Sequence, residues 1–366
     1  MSAPTPPSLG AATLLVAGRE ITTQLRSKAF LISSALLLLA VLAGIVVSSL
    51  LAGRDSAAVP VAAPTAVAAQ VGELKGVDVQ QVPDEDAALA KVRDGSVKAA
   101  LLPGTGSVPR VVVLTSTPQA VVDALTVTPK VDVLEPDRAG DGVVRYVVSL
   151  AFGLVFMMAA ITFGSTIAQN TVTEKQTRIV EILLSAVPVR ALLAGKVVGN
   201  SVLALGQITA LVSVAVIGLA ATGRDDVLTL VGAPLAWFVI FFAVGFVLLA
   251  SIYAASAALV SRMEDLGAVI QPVTWLTIAP YFVVVFFNDN PVVLAVASYV
   301  PFSAPVAMPV RMFVGGVGWA EPLISLVLLV VATVAVVLLA ARIYERSVLR
   351  TGPRVRLAEA LRRSAG

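Results

Sequence analysis

The 366-residue chain contains no cysteine and no histidine. The first absence excludes disulfides, thiol nucleophiles and thiolate metal centres. The second removes the commonest general base and metal ligand, so no catalytic residue and no metal-ligand set is assigned. Charge is scarce too: Asp, Glu, Lys and Arg make up 13% of the residues, against about 25% in an ordinary soluble domain. Hydrophobic residues reach 58%, and they come in blocks longer than a core helix needs. Too little polar surface remains to keep such a chain in water. It reads as an integral membrane protein. The net charge of +3 is taken as an orientation signal, and no nucleic-acid partner is expected.

A helix crosses the hydrocarbon core with about 20 apolar residues at about 1.5 Å rise each. The first candidate runs from Ala29 to Ala52, uncharged between Lys28 and Arg54. It exceeds the core of a signal peptide and is read as retained. The next lies between Arg145 and Glu174, followed by Val197–Thr222, Val227–Val260, Gly267–Asn288 and Pro322–Ala341. Gly232 and Pro234 predict a broken or tilted start to the long Val227–Val260 segment. Between Asn290 and Glu321 an apolar but Pro- and Gly-rich piece carries Arg311. It is expected to form a re-entrant or interfacial helical hairpin on the outer side, with an exposed loop as the alternative.

Within these boundaries the apolar cores contain no Asp, Glu, Lys, Arg or His. Gradient-driven transporters and voltage sensors place charge at membrane depth, so energy has to enter elsewhere. The chain cannot supply it. Its Gly-Lys pair, Gly195-Lys196, lacks the upstream glycine and following hydroxyl of a P-loop. Any ATPase is therefore a separate polypeptide.

Basic residues set the orientation. Arg19, Arg26 and Lys28, then Lys175, Arg178, Arg190 and Lys196, then Arg262, then the tail from Arg342 to Arg363 all fall on one side. The short loops opposite carry only Arg224 and Arg311. Both termini are expected in the cytoplasm of a multi-pass plasma-membrane protein. The resulting fold class is membrane all-α, six transmembrane helices with an α/β extracytoplasmic domain inserted between the first two.

In chain order, residues 1–28 form a cytoplasmic interfacial helix and 29–53 the first span. Residues 54–142 form the outer domain, and 143–345 hold five further helices. That region includes a cytoplasmic coupling loop at 170–196 and the outer hairpin at 290–321. Residues 346–366 are a basic cytoplasmic tail, whose charges suit orientation or anionic lipid. In the outer domain Val77–Val82, Val97–Leu102 and Arg110–Leu114 read as strands. Pro83-Asp84-Glu85-Asp86 opens a helix ending near Arg93 with Gly95 as its cap, and Pro118–Leu125 reads as a second helix. Asp84, Glu85 and Asp86 suit a solvated helix start better than a cation site.

Two cytoplasmic segments stand out. In the first, Leu14, Ala17, Ile21 and Leu25 recur at helical spacing with Arg19, Thr23 and Arg26 elsewhere, which fits a helix along the inner interface. In the second, Thr173 can cap a helix beginning at Glu174, and Glu174 precedes Arg178 by four residues. Ile179, Ile182 and Leu183 supply its apolar stripe, and Pro188 ends it. Such a short amphipathic helix fits a groove on a partner protein, or the lipid surface.

Together these stretches resemble permeases of the type 2 group of ABC transporters, specifically the sodium-export (NatB-like) branch. Arg19-Glu20-Ile21-Thr22-Thr23-Gln24-Leu25-Arg26-Ser27-Lys28 looks like that family's interfacial connecting helix. Residues 174–185 with Ala194-Gly195-Lys196 look like its coupling helix, and Pro301-Phe302-Ser303-Ala304-Pro305 with Met308–Arg311 like its outer hairpin. The resemblance implies a homodimer or close heterodimer in the bilayer, docked on two ABC ATPase subunits. Those subunits would bind ATP and Mg, and this chain would hold no cofactor. Glu174, Lys175, Arg178, Glu181 and Leu184 would form the coupling helix, Pro301, Phe302, Pro305 and Arg311 the hairpin, and Arg19, Glu20 and Arg26 the interfacial helix. Namesake members carry sodium, and relatives are associated with drugs, lipids and peptides. The expected function is export as a permease subunit, not an enzyme. The alternatives are a membrane scaffold or sensor using its outer domain, and a membrane-embedded enzyme built on groups such as Asn200, Gln207 and Ser213.

Overall fold

The computed structural model describes residues 8–55, 59–71, 77–104, 110–113, 142–223 and 225–349. The expected helix at Pro118–Leu125, Arg224 and the tail from Arg350 onward fall outside them. In chain order the elements are α1 (Leu9–Leu25), α2 (Lys28–Asp55), β1 (Val59–Pro64), α3 (Thr65–Val71), β2 (Val77–Val82), α4 (Glu85–Arg93), β3 (Ala99–Leu102) and β4 (Arg110–Val112). They continue with α5 (Gly142–Gln176), α6 (Ile179–Ala186), α7 (Val189–Ala221), α8 (Asp225–Ala258), α9 (Met263–Phe286), α10 (Pro291–Tyr299), α11 (Ala304–Val314) and α12 (Glu321–Ser347). Two compact units result: Met1–Ala43 with Glu135–Gly366, and Gly44–Leu134.

The first unit is helical. Among the described residues six helices are long and apolar enough to cross a membrane: α2, α5, α7, α8, α9 and α12. Phenylalanines at helical spacing hold its centre together. Phe152, Phe156 and Phe163 of α5 meet Phe238, Phe242 and Phe246 of α8 with ring centroids 4.9, 5.9 and 6.0 Å apart. Edge and tilted contacts of this kind suit aromatic quadrupoles. The sequence predicts a broken or tilted start to the fourth span; the break is corrected, since α8 runs unbroken through Pro234. Prolines inside spans are tolerated where neighbouring helices and local adjustment re-satisfy the freed carbonyl.

At the hairpin, Asn290 caps α10 by accepting from the Val292 and Val293 amides, both at 3.1 Å. Residues 300–303 turn the chain into α11. Pro301 and Phe302 occupy that turn, half-buried, and Pro305 is buried in the first turn of α11. Arg311 reaches across to α12. It pairs with Glu321 at 2.6 Å and donates to Ser298 at 3.2 Å, while Tyr299 donates to Glu321 at 2.8 Å.

The second unit, as far as it is described, is a four-stranded sheet of order β2-β1-β3-β4. β1 pairs in parallel with β2 and β3, and β4 is antiparallel to β3. Alternation splits its core between two faces. Val61, Ala63, Ala99 and Leu101 pack under α3, and Ala62, Ala100 and Leu102 under α4. Asp84 caps α4 by accepting from the Ala87 amide at 2.8 Å, and Gly95 follows it with a φ of +77°. Left-handed geometry after a helix end is where glycine costs least. β1 and α3 have no counterpart in the sequence reading.

Candidate functional site

Charged side chains that the sequence scatters over some 180 positions meet at one end of the helical unit. α1 lies along the start of α7, and the contact is tight because α7 offers glycine there. A Cβ added at Gly195 would stand 2.4 Å from Val16 Cβ, and one at Gly199 would stand 2.9 Å from the Ala17 carbonyl oxygen. Gly195-Lys196-Val197-Val198-Gly199 is a small-xxx-small face, the pattern that lets helix backbones approach. Ala12, Val16, Ala17 and Glu20 are the buried side of α1.

Between these glycines Lys196 points inward, 0% exposed. Its ammonium meets Glu20 Oε1 of α1 at 3.2 Å and Glu174 Oε2 of α5 at 2.8 Å. The second contact is an ion pair without hydrogen-bond direction. The Arg19 guanidinium, 44% exposed, closes on Glu174 Oε1 at 2.5 Å, and Asn170 donates to Glu20 Oε2 at 3.3 Å. Two carboxylates thus face two cations, balanced and stepping from solvent at Arg19 to full burial at Lys196. Removing one partner of such a set costs about 3–5 kcal/mol, because a buried charge is left uncompensated.

Here the structure corrects two expectations. Glu174 does not begin the amphipathic helix with Thr173 as cap, because α5 continues through it to Gln176. The chain breaks at Thr177–Arg178, where Arg178 takes a φ of +57°, and α6 starts at Ile179. Glu174 and Arg178 therefore share no helix and form no four-residue pair. The helices run past the uncharged windows at this end: α5 and α7 enclose Glu174, Lys175 and Lys196, which lie just outside those windows, as buried groups. At 35 residues α5 is roughly 50 Å long, well over a hydrocarbon core of about 30 Å. Glu174 and Lys175 sit at its far end and Lys196 in the first turns of α7, where partners rather than lipid bury them.

The five coupling positions of the sequence reading divide accordingly. Glu174 and Lys175 are buried, Leu184 is half-buried against the core, and Arg178 and Glu181 are exposed. On α6 the inward face is Val180, Leu183 and Leu184. The expected stripe of Ile179, Ile182 and Leu183 is split, since Ile179 is exposed and Ile182 is 71% exposed. Charge and aliphatics therefore share one free face. Of the interfacial residues Arg19 and Glu20 belong to the cluster, whereas Arg26 is exposed just past α1. The hairpin residues form a separate group on the α10–α11 turn and on α11, with Arg311 reaching α12. Sequence reasoning met Lys196 as a failed P-loop lysine, as an orientation charge and in the resemblance to a coupling segment, but gave it no buried partners. The glycine spacing around it was the available signal. Among the described residues no group of three or more acidic side chains converges as a metal site.

Comparisons with known proteins fit this layout. Residues 28–342 match the model for the ABC-2 family transporter protein, and the chain belongs to that family. It is 27% identical over 218 residues to the uncharacterized protein YhaP of Bacillus subtilis strain 168, covering 55% of this chain and 52% of that protein. It is 29% identical over 204 residues to the uncharacterized protein MJ1024 of Methanocaldococcus jannaschii, covering 55% of this chain and 50% of that protein. The match thus spans about half the length of each relative. No solved structure matches.

Proposed function

We propose that this member of the ABC-2 family is the membrane-spanning permease subunit of an ATP-driven exporter whose ATPase is a separate chain. The observation that carries the reading is α6. It is eight residues long and presents Ile179, Glu181 and Ile182 outward, beside exposed Arg178 of the preceding turn. Only a two-residue turn separates it from α5, whose end is fixed by the buried charges. A partner pressing on α6 pushes on a rigid element, and the Glu174–Lys196–Glu20 set carries the push to α1 and α7.

Basic residues flank this end, which supports a cytoplasmic position for it and for both termini. The 54–142 segment is then extracytoplasmic and the 290–321 hairpin is outside. The dimer of permeases, the plasma membrane and the NatB-like branch belong to the same reading. The branch is supported by the stretches 19–28, 174–185 and 301–311.

Because the chain has no native cysteine, Glu181→Cys gives a single reactive position. Cross-linking from it in native membranes is expected to yield an adduct with a P-loop ATPase. Adducts with lipid or bulk reagent alone, at every linker length, would overturn the proposal.

A further inference from the structure

Lys175 is 2% exposed, one residue beyond Glu174. Its ammonium donates to the carbonyl oxygen of Ala258 at 2.8 Å and to that of Ser347 at 2.9 Å. Ala258 is the last residue of α8 and Ser347 the last of α12. A helix leaves its final four carbonyls without intrahelical partners, and its C-terminal end carries roughly half a negative charge. Two such ends meeting in one buried place repel each other. They are nonetheless held together, since Ala255 and Leu259 of the α8 end pack with Ala340 and Ile343 of α12. One cation between them answers both ends at once. An arginine could also do so, but no neutral apolar side chain could.

We propose that Lys175 is a positioning residue that bolts the ends of α8 and α12 to the end of α5, so that the three helices move as one body beside α6. The bolt stands on geometry alone. Its use in transport rests on the reading of α6 given above.

The test uses the full chain in lipid nanodiscs with spin labels at Arg262→Cys and Leu349→Cys, exposed positions just beyond α8 and α12. The parent and Lys175→Arg should give one narrow distance distribution. Lys175→Met and Lys175→Gln should give a broader and longer one. Should the Met variant not assemble, the Gln variant carries the comparison, because its amide, one atom shorter and uncharged, keeps two donor hydrogens. A Gln distribution that matches the parent overturns the bolt.

A second pair, Gln176→Cys with Leu349→Cys, is measured on the chain with its co-purified ATPase, without nucleotide and with ATP plus orthovanadate. In the parent the distance should stay fixed, and in Lys175→Gln it should change with nucleotide. A loss of packing alone would not depend on nucleotide. A parent distance that changes overturns the one-body motion. A chain that brings down no ATPase overturns the proposed function and leaves the first measurement standing.

Discussion

Glu174 and Lys175 are consecutive, both buried, and they address different neighbours. Glu174 pairs with Arg19 and Lys196, while Lys175 donates to the carbonyls of Ala258 and Ser347. Consecutive residues on a helix point about 100° apart, so two adjacent charges can hold different sides of one helix. The end of α5 is thereby tied to α1 and α7 through one side chain, and to α8 and α12 through the next. α6 follows after two residues. Any displacement of α6 meets four helices through these two contacts.

Lys196→Met is expected to destabilise the chain by about 3–5 kcal/mol, since Glu20 and Glu174 would stay buried without their shared cation. Thermal unfolding in detergent measures it. Lys196→Met with Glu20→Gln should cost less than the sum of the two single changes, because the two groups share one interaction. Additive losses would show that Glu20 and Lys196 do not act on each other.

Gly195→Leu should dislodge α1, as its first side-chain carbon alone overlaps Val16. Labelling of Ala17→Cys, a buried position, reads the effect: slow in the parent background, fast when Gly195→Leu is added. Equal rates would mean that α1 does not depend on that close approach.

At the hairpin, Glu321 collects Arg311, Tyr299 and the Gly318 amide, the last at 3.0 Å. Glu321→Ala removes the acceptor of all three, and hydrogen bonds to charged groups are each worth about 1.5–3 kcal/mol. Part of this is regained where water reaches Arg311. A net loss on the order of 2 kcal/mol is expected, with faster labelling of Ser298→Cys, which is buried in the parent. Unchanged labelling would show that the hairpin is held by packing alone.

In the second unit the Asp94 carboxylate accepts from the Ser96 hydroxyl at 2.6 Å and the Ser96 amide at 2.9 Å. These bonds lower its pKa below the usual Asp range. A lowered folded pKa means that the contribution is complete above the unfolded Asp value. It is lost as pH falls through the folded one. Protection of the Ser96 amide should therefore persist until pH drops below about 4, and Asp94→Asn should abolish that dependence. Amide exchange followed against pH decides it.

The helices were legible because lipid imposes a length and a composition, and windows such as Ala29–Ala52 and Pro322–Ala341 satisfy both. α4 was legible for local reasons, with Asp84 before it and Gly95 after it. What stayed hidden was non-local. Glu174 looked like a helix start because the uncharged window stops there, yet its partners Arg19 and Lys196 lie elsewhere in the chain. A buried pair leaves no mark in a local pattern. β1 escaped for a related reason: Val61–Pro64 is buried throughout and consists of Val, Ala and Pro, so no polar alternation announces a strand. Arg19, Glu20, Glu174 and Lys175 could each be singled out from sequence, but their convergence on Lys196 and on two helix ends could not.

Glu181→Arg tests the direction in which work flows. The Glu181 side chain is on the free face of α6, away from Val180, Leu183 and Leu184, so reversing its charge removes no described internal contact. Insertion and thermal stability should match the parent, since surface substitutions of this kind stay within about 0.5 kcal/mol. At a contact with a partner, the same reversal sets like charge where opposite charge was accommodated, and such a mismatch costs several kcal/mol. ATP hydrolysis by the partner should continue while transport falls at least tenfold. Full transport by Glu181→Arg in reconstituted vesicles would mean that α6 does not receive the ATPase. The buried charges behind it would then be purely structural, holding a bundle that takes its energy from another surface.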